Sequence, residues 1–272
     1  MSDSSAVPND SGPSPSPKID TSVPQSARIW NYWLGGKDNY PVDRAAGDQV
    51  LEVYPEMANA ARAARHFIAR AVRYLAGEVG IRQFLDVGTG LPTVDNTHEI
   101  AQRAAPESKI VYVDNDPLVL AHARALLTSS PEGVTVYVDA DLHDPATILR
   151  EASQTLDLSR PTALMLMGIL GHIDYEEALS IVPRLLDGLP SGSYLGTYDF
   201  IDTSQGVKEA ERLYEESGTL PYRPRPIEQI AGFFEGLELV TPGVVEVTQW
   251  RPDPSPFTHT RVDVAGGVGR KP

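Results

Sequence analysis

The sequence predicts an α/β protein with a doubly wound, mostly parallel sheet. Three observations lead there. Five short apolar stretches alternate with helical patterns. A glycine-rich turn follows directly on the first of them, and acidic residues close the first three. In open α/β sheets ligands bind outside the carboxyl ends of the strands, so the turn and the acids fall where a binding site belongs.

The elements follow from periodicity. Met57 to Ala76 predicts a helix, with Phe67, Ile68, Ala71, Val72 and Leu75 at helical spacing. Gln83 to Val87 predicts a short buried strand. Asn96 to Ala104 predicts a helix, Asn96 capping it and Glu99 completing a variant capping box. Lys109 to Val113 is the next strand, and Pro117 to Leu127 a helix opened by proline. Strands at Val134–Val138, Thr162–Met167 and Ser193–Phe200 alternate with helices at Ala146–Gln154 and Tyr175–Leu189. A helix over Ile227–Phe234 then precedes two strands, Leu237–Trp250 and Thr258–Val264, joined through Arg251-Pro252-Asp253-Pro254-Ser255-Pro256. Two successive strands suggest an antiparallel hairpin at the edge of the sheet.

The flanks divide the chain further. Residues 1–24 are rich in Ser, Pro and Asp without an apolar run, which predicts a disordered tail and no secretory signal. Residues 25–56 form an aromatic, Gly-rich segment, and 57–272 the main domain. No apolar run approaches the length of a membrane span, and a cytoplasmic protein is expected.

Composition excludes several chemistries. With no cysteine, the chain forms no disulfide, no thiolate metal site and no cysteine nucleophile, which removes the covalent route to C5-methylated pyrimidines. A net charge of -14 argues against nucleic acid as partner. Arg62, Arg65, Arg70 and Arg73 could form a local basic patch on one helix, but a solvated helix face is the favoured reading. No Asn-Pro-Pro-Tyr-type motif for methylating adenine bases is present. No metal site is expected.

Two readings compete for Asp86-Val87-Gly88-Thr89-Gly90-Leu91-Pro92-Thr93. A dinucleotide fingerprint needs a third glycine where Thr93 stands, and a helix N-terminus for the pyrophosphate. Here Pro92 delays the helix and Asp95 would repel phosphate. The alternative ligand is a nucleoside with a cationic amino-acid tail, such as S-adenosylmethionine, whose ammonium favours a carboxylate at Asp86. A plain tight turn is the simplest reading of Gly88 and Gly90 alone. Asp114 ends the second strand, 24 residues past Gly90, and can accept from both ribose hydroxyls. Asp116 is explained as the cap of the following helix. After the third strand, Asp141 is slightly preferred to Asp139 as acceptor for an adenine amine, with Leu142 packing the ring. Three acids at three successive strand ends suit an adenosine with a cationic tail better than a pyrophosphate.

After the fourth strand, Gly168-Ile169-Leu170-Gly171-His172 reaches the mouth of the sheet. His172 is the candidate general base, needed only if the acceptor must lose a proton. That it orders its loop through a backbone hydrogen bond is the favoured reading. Tyr198 and Asp199 could face an acceptor.

These residues resemble the class I S-adenosylmethionine-dependent methyltransferases. They are most similar to one chiefly actinobacterial family, long catalogued as a domain of unknown function and assigned as S-adenosyl methyltransferases. The resemblance rests on Ala27–Tyr40, Phe84–Thr93, Val111–Pro117 and Gly267–Pro272. It implies a Rossmann-like seven-stranded sheet with a reversed final strand, and an N-terminal helical lid. It further implies cofactor contacts at Asp86, Gly88, Gly90, Asp114 and Asp141, with Tyr32 of the lid, and places Asn115, Leu142, Gly168 and Arg65 in the same neighbourhood. Ala64, where the family pattern has Asn, leaves the role of its helix open. The expected function is methyl transfer to an unidentified small-molecule acceptor, with S-adenosylhomocysteine as product. A non-catalytic S-adenosylmethionine-binding regulator and an NAD-dependent oxidoreductase are the alternatives.

Overall fold

The computed structural model describes residues 20–272 apart from 94, 127 and 255–259. Most of the expected tail therefore lies outside the described residues. Two helices lead, α1 (Ser26–Trp33) and α2 (Pro41–Val53), followed by α3 (Met57–Arg73) and a π-helical turn to Val79 that Gly80 ends at φ 86°. Then come β1 (Gln83–Val87), α4 (Thr97–Ala104), β2 (Lys109–Asp114), α5 (Pro117–Leu126), β3 (Val134–Asp139), α6 (Pro145–Ala152) and β4 (Ala163–Met167). The chain closes with α7 (Tyr175–Asp187), β5 (Tyr194–Phe200), α8 (Gln205–Glu216), α9 (Ile227–Gly232), β6 (Glu238–Leu239), β7 (Val245–Glu246) and β8 (Val264–Arg270).

The sheet order is β3-β2-β1-β4-β5-β8-β6, with β7 also on β8. Strands β1 to β5 are parallel, and β8 runs antiparallel to its neighbours. β1, β4 and β5 are buried along their whole length, as helices on both faces of a parallel sheet require. Side-chain alternation sorts each strand between two cores. Phe84, Ile110, Tyr112, Ala163 and Met165 face the core shared with α1 to α3, while Leu85, Val111, Val113, Leu164 and Leu166 face the one shared with α6 and α7. Asp86, two residues past Phe84, is thereby turned toward α3 and α4.

The end of the chain differs from expectation. The stretch Leu237–Trp250 is not one strand. β6 and β7 both pair with the same side of β8, so they form one edge track interrupted by a loop around Pro242-Gly243, a dipeptide that marks turns. The sheet therefore has seven tracks. Thr258–Val264 is not the final strand: 258 and 259 lie outside the described residues, and β8 begins only at Val264. Its glycines hide it from pattern reading, since glycine weakens a strand unless a neighbour must come close. That condition holds, because a Cβ on Gly266 would lie 2.6 Å from the Thr197 carbonyl and one on Gly269 2.8 Å from the Phe234 ring. The reversed strand thus lies one track inside the edge.

The segment 25–56 is not a detached cover. Ile29, Trp33 and Val50 belong to the same core as Phe67 and Trp250. A buried ion pair joins α1 to α2: Arg28 Nε lies 3.0 Å from Asp43 Oδ1, both side chains inaccessible to solvent. Asp43 also accepts from the backbone N–H of Gln25 at 2.9 Å and of Tyr40 at 2.8 Å. The other Arg28 nitrogens donate to the carbonyls of Asp20 and Val23, which ties the end of the predicted tail to α1. Removing one partner of such a pair leaves the other buried and uncompensated. Asp43→Ala is expected to destabilise the chain by about 3–5 kcal/mol, read as a lowered urea midpoint; a midpoint within error of the wild type would show that α1 is not anchored this way.

Candidate functional site

A cavity of about 190 Å³ opens at the carboxyl ends of β1, β2, β4 and β5, beneath α1. Its lining includes Asp86, Gly88, Gly90, Asp114, Asn115, Gly168, Arg65 and His172. Eight of the sequence-predicted residues, far apart in the chain, therefore meet at one place.

Each is positioned by its element. Asp86 is buried near the end of β1, and its Oδ2 accepts from the Thr97 hydroxyl of α4 at 2.6 Å. Burial pushes its carboxyl up to about 6, opposed by the Thr97 bond and the Arg65 guanidinium. Gly88 and Gly90 both take positive φ, 74° and 64°, which only glycine adopts freely. A Cβ on Gly88 would strike Ile169 at 2.4 Å, whereas one on Gly90 would meet only Ala27, at 4.0 Å. Gly88 is thus fixed by packing, and Gly90 faces open space. Asp114 holds the turn: Oδ2 accepts from Gly90 N at 3.0 Å and Oδ1 from Asp116 N at 2.9 Å. Burial raises this carboxyl too, and those backbone donors work against the rise. Asp116 caps α5 as expected, accepting from Leu118 N at 2.7 Å. At the head of α4, Glu99 Oε2 accepts from Asn96 N at 2.8 Å.

His172 lies between two partners. Nδ1 is 2.8 Å from the Pro221 carbonyl, which can only accept, so Nδ1 carries the proton. Nε2 faces the Ser26 hydroxyl at 3.1 Å. Burial lowers the imidazole's proton affinity, so the ring is neutral at pH 7 and its Nε2 lone pair accepts from the Ser26 hydroxyl at the cavity wall. The loop-ordering role and a place for Nε2, through Ser26, on the cavity wall therefore coexist.

Four expected residues lie elsewhere. Tyr32 does not line the cavity; its hydroxyl donates to Asp48 at 2.5 Å. Helical phase is the reason: Ala27, Trp30, Asn31 and Leu34 form the stripe facing the cavity, and Tyr32 falls off it. Asn31 is the residue the sequence reading missed, and that spacing was the available signal. Its Oδ1 accepts from Asp38 N at 3.0 Å and Asn39 Nδ2 at 2.9 Å, and Gly36 leaves room for it. Leu142 is buried in the second core with Val87 and Val113. Asp141 is outside the lining, yet its Oδ2 accepts from Asn115 Nδ2 at 3.1 Å and so braces a wall residue. Asp199, expected to face an acceptor, is wholly buried. It accepts from Gly171 N at 3.1 Å, Tyr222 OH at 2.7 Å and Arg225 Nη1 at 2.9 Å. Tyr198 does line the cavity.

The arginine stripe of α3 is largely engaged in the fold. Arg70 Nε donates to the Trp250 carbonyl at 2.9 Å and Arg73 pairs with Asp253 at 3.0 Å. Arg65 donates to the Asp95 carbonyl at 3.0 Å and turns into the cavity.

The raised Asp86 carboxyl has a consequence for stability. Its folded pKa, about 6, lies above its ordinary 3.8, so folding favours the protonated form. That contribution is complete below pH 3.8 and is lost as pH rises to about 6. Asp86→Asn is therefore expected to raise stability above pH 6 by about 1–3 kcal/mol and to flatten the pH dependence between pH 4 and 6. Urea midpoints measured across pH 4–8 check this, and an unchanged or lowered midpoint at pH 7.5 contradicts it.

Comparison with known proteins identifies the family. A sequence profile described as S-adenosyl methyltransferase matches residues 13–272. The solved structure of a DUF574-family protein from Streptomyces avermitilis is 48% identical, with a TM-score of 0.90, over 94% of this chain and 100% of that one. A candidate methyltransferase from Thermobifida fusca is 40% identical, with a TM-score of 0.86, over 94% of this chain and 98% of that one. Magnesium protoporphyrin IX methyltransferase from Synechocystis, solved with S-adenosylhomocysteine, shares the fold at 11% identity and a TM-score of 0.53, over 90% of this chain and 93% of that one. A search of curated proteins found no match. Neither a regulator without turnover nor an NAD-dependent oxidoreductase finds support among these relatives. With its profile matched over nearly the whole chain and relatives superimposing end to end, the chain belongs to the S-adenosyl methyltransferase family and is an S-adenosylmethionine-dependent methyltransferase.

Proposed function

We propose that this enzyme methylates a small-molecule acceptor in the cytoplasm, holding S-adenosylmethionine in the cavity beneath α1. The observation that carries the proposal is the convergence of Asp86, Asp114, Arg65 and the open face of Gly90 on one cavity. The chemistry of that set fits the cofactor: acceptors for a ribose diol at Asp114, a carboxylate for an ammonium at Asp86, and a guanidinium for a carboxylate at Arg65. Gly90 leaves the space that a side chain would fill. Asn115, braced by Asp141, and Gly168 complete the walls. No helix among the described residues is long and apolar enough to cross a membrane, and the net charge of -14 favours a small acceptor over nucleic acid.

The cofactor supplies an electrophilic methyl on a sulfonium. The residues supply position, the larger part of catalysis for an in-line displacement. Ala27, Trp30, Asn31 and Leu34 exclude water from above. Where the acceptor must lose a proton, His172 Nε2 takes it. The ring is neutral, and the Pro221 carbonyl that accepts from Nδ1–H steadies the imidazolium that forms.

Two measurements with S-adenosylhomocysteine test this. Asp114→Ala removes two charge-assisted bonds and is expected to weaken binding by calorimetry about 100-fold; equal affinity would dismiss the diol contact. Protonated Asp86 cannot attract the ligand's ammonium, so affinity is expected to fall as pH drops below about 6, and in Asp86→Asn this loss is expected to vanish. Affinity independent of pH between 5 and 8 would remove Asp86 from the ammonium site.

A further inference from the structure

Beside the cofactor cavity lies a second, narrower pocket between α1, α2 and α8, and Trp30 lines both. Its walls are Trp30, Trp33, Phe200, Tyr214 and Tyr222 with a few aliphatic residues. Those rings form a connected series that begins at the candidate base. His172 meets Tyr222 edge-on at 4.9 Å, Tyr222 meets Phe200 at 5.8 Å, Phe200 meets Trp30 at 6.1 Å, Trp30 meets Trp33 at 5.9 Å, and Trp33 meets Tyr214 at 6.3 Å. The pocket is thus walled by the same rings that reach the mouth of the cofactor site.

Two polar features interrupt the apolar lining. Glu211 of α8 contributes a carboxylate, the single charged group among the described residues that line the pocket. The neighbouring Arg223 is engaged with Asp174 at 3.5 Å. The Tyr214 hydroxyl is buried with no hydrogen-bond partner, the Ser26 hydroxyl near it but out of bonding geometry. A buried hydroxyl left unbonded costs about 1–3 kcal/mol unless a ligand or water completes it.

We propose that this pocket is the acceptor subsite, and that it takes a planar aromatic compound carrying a cationic amine, its ring between Trp30, Phe200 and Tyr222 and its amine toward Glu211. Aromatic faces attract cations through their quadrupoles, and a carboxylate at the rim adds charge complementarity. A neutral aromatic would gain nothing from the Glu211 carboxylate, and an anionic one would be repelled by it. This assignment rests on the acceptor being a small molecule.

The test uses the full chain saturated with S-adenosylhomocysteine and three indoles that differ in charge: tryptamine, 3-ethylindole and indole-3-acetate. Calorimetry is expected to find tryptamine bound at least about tenfold more tightly than the other two. Glu211→Gln is expected to bring tryptamine down to the level of 3-ethylindole without altering S-adenosylhomocysteine affinity. Ala210→Trp, which fills the pocket, is expected to exclude all three, its intact S-adenosylhomocysteine affinity certifying its fold. The pocket assignment is overturned if S-adenosylhomocysteine binds but no indole does, if the charge order is absent, or if Glu211→Gln preserves it. Failure of S-adenosylhomocysteine itself to bind would instead bring down the cofactor site, and this inference with it.

Discussion

The carboxylate of Asp199 is the interaction on which the mouth of this enzyme depends. It sits at the end of β5 with no access to solvent, where a lone charge would be prohibitively costly. Three donors compensate it, and each comes from a different segment: Gly171 N from the loop after β4, Tyr222 OH from the stretch after α8, and the Arg225 guanidinium beyond it. Arg225 in turn donates to the Ile173 carbonyl. One buried acid therefore fixes the loop that carries His172 and the segment that carries Tyr222 and Pro221. Without it, neither the histidine's proton position nor the aromatic wall beside it would be defined.

The same device recurs around the cavity. Asp114 fixes the Gly90 turn through backbone donors, Asp86 is held by Thr97, and Asp43 fixes the entry to α1 and α2. In each case a carboxylate drawn out of water collects donors from segments distant in sequence. Asp86 has the weakest compensation from its own chain, one hydroxyl and a nearby guanidinium. Incomplete pairing of this kind is characteristic of functional sites, where a ligand supplies the missing charge. Asp86 is thus costly to the fold in the form that binding would use.

Much of this was legible beforehand. Alternating strands and helices, the capping pairs at Asn96–Glu99 and Asp116, and the acids at strand ends are local features. Each follows from the residues within one element. The antiparallel pair at the edge was legible, but the bounds of its strands and of β8 were misread because the relevant constraint is not local. Gly266 and Gly269 are strand residues because Thr197 and Phe234 press against them, and nothing within Val264–Arg270 announces that. Tyr32 lies off the cavity lining because a signature motif marks a segment, whereas the face turned to the cavity follows from helical phase and from which neighbour the helix packs on.

The sequence by itself therefore determined the fold class, the end of the sheet where the cavity opens and the residue types that gather there. Those follow from periodicity and from the chemistry of acids beside glycines. Only the tertiary structure decided which acids face the cavity and which are internal braces. It also set the tautomer of His172 and brought an aromatic pocket with one carboxylate against the cavity beneath α1. Burial and pairing are properties of neighbours brought together by packing, and distance along the chain does not encode them.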